Sequence, residues 1–185
     1  MTKPKAPPFR IVIDTREQTP WTFPDWPTVT KHLKTGDVSI SGLERYLCIE
    51  RKSLPDLAGC CSDRKDKITG RSNRDRFKDE LQRMRAYNRR CVIVEATYPE
   101  ALTYHGRGKI GGKQITGSTT SWEGDFDVPF HYVSSNVKVC AAYALNVLRA
   151  FHRHHVMRCI DFLSGMGAEV WIPEDVYDEL NKEEV

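Results

Sequence analysis

The sequence predicts an α/β protein, with short apolar strands alternating with amphipathic helices along 185 residues. Three observations carry that prediction. Ile11–Ile13 and Cys91–Val94 are apolar runs of strand length that lead into acids, and the second reads as a strand buried on both faces. Phe77, Leu81 and Met84 recur at helical spacing and make one apolar stripe. Gly42 separates the arm that begins at Asp37 from the returning apolar strand Leu47–Ile49, as the turn of a hairpin does.

Taken in order, residues 1–8 carry three prolines and two lysines and read as a disordered leader to a main domain spanning 9–156. Arg10–Asp14 is the first strand, and Thr15–Pro27 is a loop whose Trp21, Phe23 and Trp26 are expected to cover the core rather than stack on bases. Val29–Lys34 is read as a short helix or turn that delivers Gly36. After the hairpin, Ser53 stands where a helix cap belongs, with Asp56 three residues on. Cys60–Asn73 is a polar loop. The helix Arg74–Tyr87 follows, capped by Ser72 or Asn73, with Arg76–Glu80 and Asp79–Arg83 at the spacing of favourable pairs. Glu95, at the end of the next strand, is expected to hydrogen-bond a scaffold group.

Ala101–Gly112 is glycine-rich and basic but lacks the spacing of a phosphate-binding P-loop. Propensity alone makes Gln114–Trp122 a loop. Val128–Val133 is a further strand and Val137–Arg153 a second amphipathic helix. His152, His154 and His155 at its end read as complementing a helix C-terminus in preference to binding zinc. Residues 157–185 form an acidic appendage.

Bulk properties narrow the class. An apolar fraction of 39% and a charged fraction of 29% describe an ordinary globular chain with room for one core. No run is long enough to span a membrane, and the N-terminus lacks the apolar stretch of a signal peptide. Six cysteines without metal-ligand spacing point to an intracellular, reducing compartment, cytoplasm or nucleus. Net charge is only +3, but residues 64–90 hold eleven Lys/Arg against four acids, whereas 157–185 hold eight acids against Arg158 and Lys182. The basic segment suits a phosphate backbone. Its candidate contacts are Arg64, Lys65, Lys67, Arg71 and Arg74 on the loop and Arg76, Arg83 and Arg85 on the helix.

The stretch Gly36–Asp56, GDVSISGLERYLCIERKSLPD, concentrates the chemistry. Alternate strand residues share a face, so Glu50 and Lys52 project together while Ile49 and Arg51 point the other way. The hairpin folds Asp37 back toward Glu50. Two carboxylates and a lysine then converge, a set able to hold a hard divalent cation by oxygen ligands and to assist a water beside it.

Gly36-Asp37, Glu50-Arg51-Lys52 and Asp56 resemble the GD…ERKxxxD signature of the XPF-type structure-specific endonucleases. Ile11-Val12-Ile13-Asp14-Thr15-Arg16-Glu17 resembles that family's first strand, and matching segments run in the family's order over roughly residues 9–152. The resemblance implies a restriction-endonuclease-like α/β fold, a central mixed sheet flanked by helices. It makes Gln114–Trp122 a helix, in which a small residue allows close packing. The activity implied is hydrolysis of DNA, branched, flap-like or duplex, leaving a 5′-phosphate and a 3′-hydroxyl. Asp37, Glu50 and the backbone carbonyl of Arg51 would hold Mg2+ or Mn2+, with Asp14 completing a second metal site. Lys52 would position the water, the Arg51 side chain would brace the hairpin, Glu17 would shape the acidic site, and Asp56 would serve mainly as scaffold. Arg16 joins the candidate DNA contacts.

The family also forms dimers through this domain, so a homodimer or heterodimer is implied. Many relatives continue into tandem helix-hairpin-helix modules, of which Gly165-Met166-Gly167 is one faint echo. The alternative is a non-catalytic DNA-binding or scaffolding subunit. Such subunits usually lose the acid or lysine of the ERK motif, whereas Asp37, Glu50 and Lys52 are all present here. A protein-interaction domain without nuclease activity would leave the charged constellation unexplained.

Overall fold

Six strands make one mixed sheet in the computed structural model, which describes residues 8–106 and 110–168. Most of the expected leader, Arg107–Lys109 of the basic glycine-rich stretch, and residues 169–185 of the acidic appendage lie outside the described residues. The strands are β1 (Ile11–Asp14), β2 (Thr28–Lys31), β3 (Val38–Ile40), β4 (Leu47–Ser53), β5 (Arg89–Glu95) and β6 (Phe130–Tyr132). Their spatial order is β2-β1-β3-β4-β5-β6. β3 runs antiparallel to both β1 and β4, while β1–β2, β4–β5 and β5–β6 are parallel. A parallel neighbour requires a crossover. Helices α1 (Leu54–Cys60) and α2 (Asn73–Met84) supply it between β4 and β5, and α3 (Tyr98–Leu102) and α4 (Gly112–Phe126) between β5 and β6.

The stretch read as a short helix or turn, Val29–Lys34, is corrected: Thr28–Lys31 is the exposed edge strand β2, in register with β1 from Ile11↔Thr28 to Asp14↔Lys31. Its Thr-Val-Thr core is β-branched and suits a pleated edge. β4 and β5 share the longest register, Leu47↔Arg89 to Ser53↔Glu95, and residues 47–49 of β4 and 91–94 of β5 are fully buried. Against one face of this pair pack Leu57, Phe77, Leu81, Met84, Ile115 and Trp122. The Phe77 ring meets Trp122 edge-on at 5.4 Å between centroids and Phe130 at 6.2 Å. Trp21 and Phe23 are buried, as expected of core cover, and Trp26 lies 4.5 Å from the Phe9 ring.

Ser72 is the cap of α2, exchanging hydrogen bonds with Asp75. The expected pairs Arg76–Glu80 and Asp79–Arg83 are not the ones formed. Arg71 reaches back from the loop to Asp79, and Arg76 bonds the Asn73 amide oxygen one turn earlier. The helix implied by resemblance for Gln114–Trp122 is present as α4. It places Ile115, Thr116, Thr119 and Trp122 in the interior, with the threonine hydroxyls returned to helix carbonyls.

The chain divides into two units, residues 1–145 and 146–185. Helix α5 (Val137–Gly165) begins in the first and continues through the second. The histidines at 152, 154 and 155 therefore sit inside this helix, well before its end, which corrects their reading as C-terminal complements. His155 stacks on Phe151. The helix stops at Gly167, whose φ is +77°. There the Gly167 and Ala168 amides donate to Ser164 and Leu163 carbonyls at 2.9 and 3.0 Å, so Gly165-Met166-Gly167 acts as a helix C-cap.

The tight approach of α3 to α4 rests on Gly112. A Cβ there would lie 2.0 Å from the Leu102 carbonyl oxygen and 2.4 Å from that of Ala101, whereas Gly117 in the middle of α4 faces open space. Gly112→Ala is expected to destabilise the protein by about 2 kcal/mol or more through overpacking. Gly117→Ala should be neutral or stabilising by about 0.5–1 kcal/mol through lost unfolded-state entropy. Urea denaturation of the two variants checks both.

Candidate active site

Gly36 makes the site possible. Its φ is +79°, and a Cβ would stand 3.0 Å from the Ile49 carbonyl oxygen, so the chain turns into β3 in a conformation that glycine adopts without strain. Asp37 follows, and its amide donates to that same carbonyl at 2.8 Å. With Val38 paired to Ile49, Asp37 comes against β4 close enough to Glu50 for its charge to be felt there. The Arg51 amide donates to Asp37 Oδ2 at 2.8 Å, fixing the carboxylate against β4.

Glu50 is 3% exposed, and its Oε1 accepts from the Lys52 ammonium two residues on, as expected of a shared face. Lys52 in turn lies 5.2 Å from the centroid of the Phe77 ring on α2. The electrostatics follow from burial. Desolvation pushes the Asp37 carboxyl up to about 6, against the opposing pull of the Arg51 amide and Lys52. Desolvation raises Glu50 well above its ordinary value, with Asp37 and Glu80 adding to the rise. Burial would lower Lys52, but Glu50 overrides it and holds the ammonium proton firmly.

Arg51 points to the opposite face, as the strand period requires. Its guanidinium donates to Glu95 Oε1 at 2.7 Å, to Glu17 Oε2 at 3.3 Å and to the Thr19 carbonyl, and it sits over the Trp21 ring. Trp21 Nε1 also donates to Glu95 Oε1, at 2.8 Å. Glu17 and Glu95 are thus joined by Arg51 behind the hairpin, and Glu95 bonds scaffold groups.

Asp14 continues the row across the sheet, since its amide donates to the Asp37 carbonyl at 2.8 Å. Its carboxylate is already engaged. Oδ1 accepts from the Arg16 amide and Nε at 2.7 Å each, and Oδ2 accepts from Arg16 at 3.1 Å and from the Leu33 amide at 2.6 Å. Burial alone would raise this acid, but those donors together bring it below its ordinary value. Asp56 is exposed at the start of α1, bonded to Ser53.

Among the basic candidates, Arg64, Lys65, Lys67 and Arg71 are exposed on the loop before α2, as are Arg76 and Arg83 on the helix itself. Arg74 is half-buried, bonded to Ser118 at 3.1 Å, paired with Asp63 at 3.4 Å and set over Trp122. Arg16 keeps much of its side chain exposed while clasping Asp14.

Sequence reasoning gave Glu80 only a surface pairing with Arg76 and no place at the site. This half-buried acid lies one helical turn beyond Phe77 and adds negative potential at Asp37, Glu50, Lys52 and Arg16. The available signal was its place beside buried Leu81, one turn along the helix from Phe77. Among the described residues, no group of three or more His, Cys, Asp or Glu side chains is arranged to hold a metal ion. No helix among the described residues is long and apolar enough to cross a membrane.

Known structures share this architecture. XPF from Aeropyrum pernix superposes with a TM-score of 0.59 at 16% identity, covering 89% of this chain and 66% of that one. XPF from Aeropyrum pernix in complex with DNA gives a TM-score of 0.57 at 19% identity, covering 78% of this chain and 66% of that one. The chain thus spans just under two-thirds of the length of these structures. No curated protein matches it. The mixed sheet with its flanking helices is the restriction-endonuclease-like α/β fold. The model of the ERCC4 domain matches residues 13–142, from the end of β1 into α5, and the chain belongs to the ERCC4 domain family.

Proposed function

We propose that this chain is a divalent-metal-dependent endonuclease that hydrolyses phosphodiester bonds in branched or flap-like DNA. The observation that carries the reading is the carboxylate pair Asp37 and Glu50, brought together just before β3 and in β4, with Lys52 bonded to Glu50. Two acids whose affinity for protons is raised by burial lack positive charge, and an ion meets that lack. The donors are oxygens, which favours a hard cation, Mg2+ or Mn2+, and two carboxylates leave room for the waters that Mg2+ retains. Asp37 and Glu50 would hold the ion together with the Arg51 carbonyl. When bound, such an ion polarises the scissile phosphate and lowers the pKa of an attacking water.

The chain's own groups have separable tasks. Lys52 remains protonated at neutral pH because Glu50 holds its proton, so it offsets charge on the attacked phosphate and does not serve as a base. The Arg51 amide orients Asp37, and the Arg51 side chain braces β4 from behind through Glu95 and Glu17. Arg64, Lys65, Lys67, Arg71, Arg76 and Arg83 line one segment of chain and would hold the DNA backbone, giving an affinity that falls as salt rises. Asp14, held by Arg16 and the Leu33 amide, braces the loop after β1 in this reading.

Cleavage of labelled flap, fork, splayed-arm and plain duplex DNA with Mg2+ or Mn2+ tests the proposal. Asp37→Ala and Lys52→Ala, each checked for folding, should cut at least about 100-fold more slowly than wild type. Calorimetric titration with Mn2+ should show binding lost in Asp37→Ala and kept in Lys52→Ala. A wild type that binds these DNAs and never cuts them would instead be a non-catalytic DNA-binding subunit.

The raised carboxyl also sets a pH dependence of the metal-free protein. The folded-state pKa of Asp37 is about 6 and its ordinary value 3.8, so between these limits the folded chain binds more protons than the unfolded one. The contribution of Asp37 is then fully favourable below about pH 4 and is lost as pH rises through about 6. In chelator, Asp37→Asn should be more stable than wild type at pH 7.5, by on the order of 2 kcal/mol, and this gap should close toward pH 4. Thermal melts across that range measure it.

A further inference from the structure

The basic loop between α1 and α2 carries an apolar residue at its apex. From Ser62 to Arg76 the sequence is SDRKDKITGRSNRDR, and Ile68 is its one hydrophobic side chain. Ile68 is 95% exposed, beyond any other large hydrophobic among the described residues, the next being Met166 at 70%. Single exposed apolar residues are common on surfaces, so exposure alone carries nothing. Here the backbone is built to present it. Asp66 Oδ1 accepts from the amides of Ile68 at 3.0 Å and Thr69 at 2.8 Å and from the Thr69 hydroxyl at 3.0 Å. Below the apex, the Asp66 amide donates to Arg71 O at 2.9 Å and the Gly70 amide to Asp66 O at 3.0 Å, while Lys65 and Ser72 close an antiparallel bridge. The side chain therefore stands on a hydrogen-bonded turn with Arg64, Lys65, Lys67 and Arg71 exposed around it.

We propose that Ile68 is a DNA-inserting residue, entering an opened base step at a branch, nick or end while the surrounding cations hold the adjacent phosphates. The inference rests on the reading of this chain as a DNA nuclease and adds to it a means of recognising interrupted stacking. Apolar side chains of this size are the wedges that proteins place between base steps, and an opened step has already lost the stacking that intact duplex would have to give up. The cationic surround favours a polyanion over an apolar protein partner.

Chain geometry ties the wedge to the scissile bond. Phe77, against Lys52, is five residues into α2 from Ser72, about 7.5 Å along the helix axis. Ile68 is four residues before Ser72, at most about 14 Å of extended chain. The apex backbone thus lies within about 22 Å of the Phe77 backbone, or some six base pairs at about 3.4 Å each, to which the two side chains and the 5.2 Å from the Phe77 ring to Lys52 add.

The test uses forked and intact duplexes carrying 2-aminopurine at the branch or at the matching internal step, with Ca2+ in place of Mg2+. Wild type, Ile68→Ser and Ile68→Phe are compared by anisotropy and by 2-aminopurine fluorescence. Ile68→Ser should bind the fork about tenfold more weakly, the scale of losing one buried aliphatic side chain, and lose the fluorescence rise. Its affinity for intact duplex should stay within about twofold of wild type, because the phosphate contacts are unchanged. Ile68→Phe should restore both signals on the fork. If Ile68→Ser behaves as wild type on the fork, or loses affinity equally on both DNAs, insertion is overturned while the nuclease reading stands. If wild type binds neither DNA at low salt, both fall.

Discussion

The structure depends on how one residue is tied to its neighbouring strand. Asp37 donates its amide to Ile49 O and accepts the Arg51 amide on its carboxylate, so main chain and side chain of Asp37 are both fastened to β4. A slip of one residue between β3 and β4 would turn Glu50 and Lys52 to the face that Arg51 now occupies. The double attachment opposes that slip. It also explains why a glycine precedes the acid: the approach that lets Asp37 N reach Ile49 O leaves no room for a Cβ at residue 36. The juxtaposition of two like charges is therefore imposed by backbone pairing, and the charges accommodate themselves to it by raised proton affinity.

The other face of β4 supplies the rigidity that such an arrangement needs. Arg51 is largely buried, with Glu95, Glu17, the Thr19 carbonyl and the Trp21 ring around it. Removing one partner from a buried, hydrogen-bonded ion pair is costly because the other is left desolvated. Glu95, two residues beyond Ile93, which pairs with Arg51 on β5, ties the two central strands together. Glu17 and Thr19 tie in the loop after β1, and Trp21 joins both through Glu95. Three adjacent residues of one strand thus serve opposite ends: Glu50 and Lys52 form the charged site, and Arg51 holds the strand that carries them.

What was legible in the sequence was what a single period determines. The alternation in Glu50-Arg51-Lys52 assigns faces without knowledge of anything else, and the stripe of Phe77, Leu81 and Met84 assigns the inner side of α2 in the same way. Features set by non-local contacts were not legible. β2 is only four residues and fully exposed, so it carries no burial pattern and is defined by its pairing with β1. α4 is rich in Thr, Ser and Gly, poor helix formers, and is held by burying Ile115 and Trp122 and by the close seat at Gly112. The pair Asp79–Arg83 had the right spacing, yet Arg71 from the preceding loop takes Asp79. Glu80 was read only as a helix partner of Arg76, because an acid beside buried Leu81 looks like any solvated helix position until the opposing strand is placed against it.

Asp14 shows why residue type and position in a sheet do not suffice to define a site. It stands next to Asp37 across the sheet and, like Glu50, exposes almost none of its surface to solvent. Its hydrogen-bond donors set it apart. Four hydrogen bonds from Arg16 and Leu33 reach its two oxygens, whereas Asp37 accepts from one amide and Glu50 from one ammonium. The first carboxylate is consequently brought below its ordinary proton affinity and the other two are raised above theirs. An incoming cation would have to displace Arg16 to gain Asp14, and would then leave that arginine without its carboxylate and the Leu33 amide in competition with the ion. At Asp37 and Glu50 the same cation displaces little and relieves repulsion between the pair. In the proposed reading, that difference in donor supply, set by a loop on one side and a strand on the other, makes Asp37 and Glu50 the metal ligands and Asp14 a brace.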